Sequence, residues 1–113
     1  KKQYLGGIVM PGVGISHDSL IARTAQLPKI ALEPPKQVIG KNTVDCMKSG
    51  LLIGTACSLD GLIDRIQTEL GESCTVVATG GLATVIVPLC KHSIILDDDL
   101  LLKGLMILYY LNP

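Results

Sequence analysis

The segment from Thr43 to Leu70 constrains the fold more than any other part of this chain. Apolar residues recur at Val44, Met47, Leu51, Leu59, Leu62, Ile66 and Leu70, with Thr55 in the one gap. That spacing is the stripe of an amphipathic helix sustained over the whole segment. Asn42-Thr43 supplies a start signal and Gly71 a stop. At about 1.5 Å per residue such a helix runs roughly 40 Å. A second apolar line, Leu52, Ala56 and Ile63, flanks the first, and Gly50 and Gly54 stand one turn apart. One domain of 113 residues has little material with which to cover so long a helix. Part of its surface is therefore expected against a partner.

What surrounds the helix must be built from aliphatic residues. Hydrophobic residues make up 48% of the chain, yet Phe and Trp are absent, and mean hydropathy is +0.46. A core of Leu, Ile, Val and Ala suits strands covered by helices on both faces, plus a surface for self-association. Formal net charge is zero and Lys1-Lys2 is the only adjacent basic pair, so the basic stripe of a nucleic-acid binder is missing. No uninterrupted apolar run reaches the roughly 18 residues of a membrane span, and no charged start followed by an apolar run marks a signal peptide. Cys46, Cys57, Cys74 and Cys90 form no C-x-x-C pair, and no histidine stands at zinc-finger spacing from them. They read as buried, reduced thiols of a cytoplasmic protein.

Along the chain, Tyr4–Met10 reads as a strand ending at Pro11-Gly12, and Ser16 as the cap of a helix from His17 to about Leu27, closed by Pro28. Glu33-Pro34-Pro35-Lys36 is a stiff connection, and Gln37–Ile39 a short strand before the long helix. Thr75–Ala78 reads as a buried strand, Thr79-Gly80-Gly81 as a turn, and Leu82 to about Cys90 as a helix. Ser93–Leu96 is a further extended segment, and Asp97-Asp98-Asp99 leads into a last helix, Leu100–Leu111. Strands alternating with helices predict an α/β layered fold.

Three glycine-bearing junctions are candidates for a site. Gly6-Gly7 and Pro11-Gly12-Val13-Gly14 bracket the first strand; they serve turn geometry or let a ligand approach the backbone. A dinucleotide fingerprint fails there, because His17 stands where a third glycine is needed. Thr79-Gly80-Gly81 lies at a strand's C-terminal end before a helix, either an ordinary turn or an anion-accepting one. In Gly40-Lys41-Asn42-Thr43, Asn42 or Thr43 caps the long helix, and the Thr43 hydroxyl at the positive helix end could also hold a polar ligand. Asp97, Asp98 and Asp99 suit capping better than metal binding, since adjacent carboxylates diverge. His17 and His92 show no partnered carboxylate or nucleophile by spacing and read as surface residues.

Taken in order, Gly6-Gly7-Ile8-Val9-Met10-Pro11-Gly12, Ile39-Gly40-Lys41-Asn42-Thr43, Ser49-Gly50, Ala78-Thr79-Gly80-Gly81-Leu82-Ala83 and Leu102-Lys103-Gly104-Leu105 resemble the C-terminal half of type III pantothenate kinases. The resemblance implies the actin-like, sugar-kinase superfamily with its ribonuclease H-like domains. It implies transfer of the γ-phosphoryl group of ATP to pantothenate, the first step of coenzyme A synthesis, with Mg²⁺ and a monovalent cation (K⁺ or NH4⁺). It also implies a cytoplasmic homodimer joined through the helix at 43–70, where Gly50 and Gly54 allow close approach. By position, Thr43 resembles the pantothenate-contacting threonine, and Gly80 and Gly81 the turn against the adenosine part of the nucleotide.

The resemblance also has gaps. The family's Asp-x-Gly-Asn-Thr loop, its Gly-x-Asp-Arg segment with the catalytic aspartate, and its Asp-x-Gly-Thr-Ala loop with the cation-binding aspartate do not occur in this sequence. Phosphoryl transfer depends on such parts, so the chain is expected to be inactive alone, with no catalytic residue of its own. Tyr4–Met10 would be the third strand of a domain lacking its first two, central strands, and a complementary N-terminal segment is expected to complete the sheet. Two other readings stand beside this one: a non-catalytic dimerisation or regulatory module of the same fold, and an actin-like-fold kinase for another small alcohol.

Overall fold

The computed structural model describes residues 3–23, 29–97 and 99. Helix α1 spans Val13–Arg23 and α2 Thr43–Lys48; a π turn, Ser49–Ile53, joins α2 without interruption to α3, Gly54–Leu70. Strand β1 is Val77–Ala78, α4 is Ala83–Ile86, a 3₁₀ turn follows at Val87–Leu89, and β2 is Ile95–Leu96. The predicted long helix is thus present from Thr43 to Leu70. By length and composition it would reach across a membrane. Its Leu51, Leu52 and Ala56 instead lie in the protein core with Val13, Ile30 and Ile86.

The π turn decides which face of the helix is buried. Gly54 N–H bonds to Ser49 O, five residues back, so one extra residue enters the turn and the side chains beyond it rotate. The helix buries Met47 ahead of the π turn, Leu51 and Leu52 within it, and Ala56 and Ile63 beyond it. The line read from the sequence as flanking therefore carries the core. Val44, Ile66 and Leu70, members of the principal stripe, stand exposed. α1 and α4 both pack against the π turn, and Leu52 at its centre is fully buried.

Hydrogen bonds fix both ends of this helix. Asn42, extended at φ −145° and ψ 168°, is the N-cap: Asp45 N–H donates to its side chain. At the other end Gly71 adopts φ 74°, the left-handed stop that glycine tolerates. The Gln67 carbonyl accepts from Gly71 N and Glu72 N at 2.9 and 3.2 Å. The Gln67 side chain accepts from Cys74 N at 2.9 Å, which steers the chain toward β1.

The strands are shorter than the sequence suggests. β1 and β2 form a parallel pair with Val77 opposite Ile95 and Ala78 opposite Leu96. The pair sits inside the predicted Thr75–Ala78 and Ser93–Leu96 segments. Tyr4–Met10 is not a strand: Tyr4 and Val9 are 89% and 98% exposed, and Gly6 at φ 133° breaks the extended geometry. A strand needs a neighbour for its N–H and C=O groups, and among the described residues this segment has none. Gln37–Ile39 is likewise irregular, because the Val38 carbonyl is taken by the Ser49 hydroxyl instead of a strand.

Two helices also differ from expectation. α1 begins at Val13, where Ser16 N bonds to Gly12 O at 3.0 Å, so Ser16 lies within the first turn instead of capping it. Its predicted end falls at 24–28, outside the described residues. The helix expected to Cys90 is one α turn continued as a 3₁₀ turn, since Pro88 has no N–H to extend the ladder. The last helix, Leu100–Leu111, and Asp98 also lie outside the described residues.

Candidate functional site

The long helix presents its first two turns to a cleft against α1. Thr43, Cys46, Met47 and Gly50 succeed one another at three- and four-residue spacing and so share a face. Opposite them stand Pro11, Ile15, Ser16, Ser19 and Leu20, and the cleft encloses about 780 Å³. The walls are mainly apolar, and Thr43, Ser16, Ser19 and Cys46 are the lining residues with polar side-chain groups. The Pro11-Gly12 junction and the Gly40–Thr43 junction, far apart in sequence, thereby meet at one site. The serines of α1 were not legible as lining residues; their i, i+3 spacing was the one signal, hidden by reading Ser16 as a cap.

Within Gly40-Lys41-Asn42-Thr43 the structure separates cap from candidate ligand group. Asn42 Oδ1 accepts from Asp45 N at 2.9 Å and Asn42 Nδ2 donates to Asp45 Oδ2 at 3.1 Å. Both ends of that amide are engaged. Thr43 is the first helical residue and is exposed; it lines the cleft.

Gly80 and Gly81 do not line this cleft. They form the turn after β1, with Ala83 N bonded to Gly80 O at 3.2 Å and the Thr84 hydroxyl donating to Gly81 O at 3.4 Å. Gly80 holds φ 111°, a conformation that strains a residue with a side chain. Neither glycine has an atom within 4 Å of where a Cβ would stand, so the turn is open. The four-residue α4 behind it is too short for an anion-accepting helix end, which leaves the ordinary turn of the two readings.

A second polar cluster ties the Lys91–His92 bend to α3. Asp60 accepts from Lys91 N at 2.8 Å and from His92 N at 3.0 Å. The hydrogen bond from Lys91 holds its carboxyl below the usual carboxylate range, against a smaller opposing effect of burial. His92 Nε2 lies 2.7 Å from Asp64 Oδ1. The partner that spacing did not reveal for His92 is Asp64: Asp60 and Asp64 share one helix face at i, i+4, and the bend returns to meet them. His17 is not the surface residue expected. It is 4% exposed, and Ile30 N–H donates to its Nε2 at 3.2 Å.

The thiols also depart from the sequence reading. All four are free, but Cys46 and Cys57 are exposed and Cys74 and Cys90 half-buried. Cys46 lines the cleft, Cys57 lies on α3, Cys74 in the loop before β1, and Cys90 at the end of the 3₁₀ turn. Burial, together with nearby Asp60 and Cys57, pushes the Cys90 thiol up. Among the described residues no three His, Cys, Asp or Glu side chains converge as a metal site. Asp97 Oδ1 accepts from Asp99 N at 3.1 Å, a local turn contact; the helix these aspartates were expected to cap lies outside the described residues.

Comparison with known proteins places the same residues in one family. The family profile described as type III pantothenate kinase matches residues 1–65. A type III pantothenate kinase of Moorella thermoacetica is 46% identical over 112 residues, covering 99% of this chain and 44% of that protein. One from Roseiflexus sp. is 44% identical over 110 residues, 97% of this chain and 43% of its own length. One from Thermus thermophilus is 45% identical over 104 residues, 92% and 41%. The chain thus spans less than half the length of these relatives, and the matched stretch is their C-terminal part.

Proposed function

The chain belongs to the type III pantothenate kinase family, and from that premise we propose that it is the C-terminal portion of an ATP-dependent pantothenate kinase. The reaction is the first step of coenzyme A synthesis. The primary hydroxyl of pantothenate attacks the γ-phosphorus of ATP, a new O–P bond forms, the bond to the β-phosphate oxygen breaks, and 4′-phosphopantothenate and ADP leave. The hydroxyl proton passes to an aspartate outside this chain.

The observation that carries this reading is the place of Thr43 in the wall of a mainly apolar cleft. Pantothenate combines a gem-dimethyl group with hydroxyls, an amide and a carboxylate. Apolar walls and a few placed hydroxyls are the lining such a molecule requires. Thr43 would donate to or accept from its polar groups, while Ile15, Leu20 and Met47 face the dimethyl carbon. Gly80 and Gly81 would border the adenosine of ATP, where an open turn without side chains lets a flat ring approach the backbone. Mg²⁺ and the monovalent cation (K⁺ or NH4⁺) would neutralise phosphate charge. Among the described residues no three His, Cys, Asp or Glu side chains converge, and the ligands of both ions are assigned to the remainder of the enzyme.

The proposed architecture is a ribonuclease H-like, actin-like domain whose central strands come from a complementary N-terminal segment. Tyr4, Leu5, Ile8 and Val9 are exposed along the segment that would pair with it. A homodimer formed through the helix at 43–70, in the cytoplasm, is part of the same reading; exposed Val44, Ile66 and Leu70 and the open space at Gly54 support the helix as its seam. The test is pantothenate phosphorylation by this chain assembled with its N-terminal segment. The assembled enzyme should consume ATP only when pantothenate is present, and Thr43→Val should cut kcat/KM by on the order of 10-fold or more, the effect of one lost hydrogen bond to substrate. No phosphorylation, or an unchanged Thr43→Val enzyme, contradicts the proposal.

A further inference from the structure

Gly40 is not glycine for the sake of its backbone. Positive φ is found at Gly6, Gly71 and Gly80 but not at Gly40, so an alanine could adopt its conformation. What an alanine lacks is room. A methyl group there would fall onto the amide nitrogen of Cys46, 2.7 Å from the Cys46 Cα and 2.8 Å from the carbonyl carbon of Asp45. These are backbone atoms of the first turn of α2, which cannot swing aside as a side chain can. The same Cys46 amide donates to Asn42 O at 2.9 Å, the bond that closes the turn carrying Thr43. The loop is held from two further sides, by the Asn42–Asp45 cap and by the Ser49 hydroxyl on Val38 O.

We propose that Gly40 is a positioning residue for the substrate: its missing side chain lets the loop before α2 close against the helix, and that closure sets where the Thr43 hydroxyl stands in the cleft. The inference rests on the reading of Thr43 as a pantothenate contact. It adds that the glycine acts wholly through that threonine.

The test is a double-mutant cycle in the kinase assembled from this chain and its N-terminal segment, measuring KM for pantothenate, KM for ATP and kcat. Gly40→Ala should raise KM for pantothenate roughly tenfold and leave KM for ATP within about twofold, the mark of an interaction with one substrate. Gly40→Ala combined with Thr43→Val should be no worse than Thr43→Val alone, because two changes acting through one contact do not add. Effects that multiply, or equal rises in both KM values, would overturn the proposal. If Gly40→Ala does not fold, Ser49→Ala loosens the same loop from its other side. It should give the same selective rise and the same non-additivity with Thr43→Val, and an unselective effect counts against the idea. A wild-type enzyme without pantothenate kinase activity, or an unaffected Thr43→Val enzyme, removes the functional reading itself, a result distinct from a failed cycle.

Discussion

His17 shows how a single side chain closes the structure around the cleft. Its ring is buried, and its Nε2 accepts the Ile30 amide, which joins α1 to the strip that contributes Ile30 to the core. Accepting at Nε2 requires a neutral ring with its proton on Nδ1. Replacing His17 by Ala leaves a buried N–H without a partner and should cost about 1–3 kcal/mol of stability in a urea titration; an unchanged midpoint would contradict the assignment. The thiols offer a second check at this scale. Cys46 and Cys57 are exposed, whereas Cys90 is half-buried and raised above its ordinary range by that burial. Timed alkylation with iodoacetamide, read by peptide mass, should modify Cys46 and Cys57 first and Cys90 last, because the thiolate is the reacting form. Neither residue type was legible from spacing. A histidine on a short helix looks the same in sequence whether it faces solvent or a backbone amide 13 residues away.

Among the elements, the helix at 43–70 was legible in extent and only partly in orientation. Its periodicity, cap and stop residue all appear in the sequence, and both ends formed where those signals stand. The π turn does not appear, because Ser49–Ile53 has no composition that separates a wide turn from an α turn. One extra residue was enough to bring Leu52 into the centre and leave Ile66 outside. Leu52→Ala should therefore destabilise by about 2–5 kcal/mol, as for other fully buried leucines, while Ile66→Ala costs far less in the unassembled chain. The contact of Asp60 with the Lys91–His92 bend carries a pH signature. Its carboxyl lies below its unfolded value, so its stabilisation is present above about pH 4 and disappears as pH falls through the lower folded value. Acid unfolding followed by circular dichroism should be steeper below about pH 4 for the native chain than for Asp60→Asn. Parallel curves would show that the bend is held by something else.

At the level of the whole molecule, the strands explain why the α/β reading was correct in kind and too generous in amount. A strand is a property of a pair, and a sequence reports only one partner. β1 and β2 found each other across α4, whereas the apolar Tyr4–Met10 segment stands exposed. Tyr4, Val9, Val77, Ile95 and Leu96 all stand exposed, and the proposed complementary segment would cover them. The cleft was half legible: Gly40–Thr43 was visible as a junction, but its facing wall depended on α1 beginning at Val13. The most direct test of the account is hydrogen–deuterium exchange on the kinase assembled from this chain and its N-terminal segment, with and without pantothenate. Amides of 40–47 and of α1 should be protected by pantothenate and not by glycerol at the same concentration. Protection elsewhere, with 40–47 unchanged, would contradict the claim that Thr43 and its cleft receive the substrate.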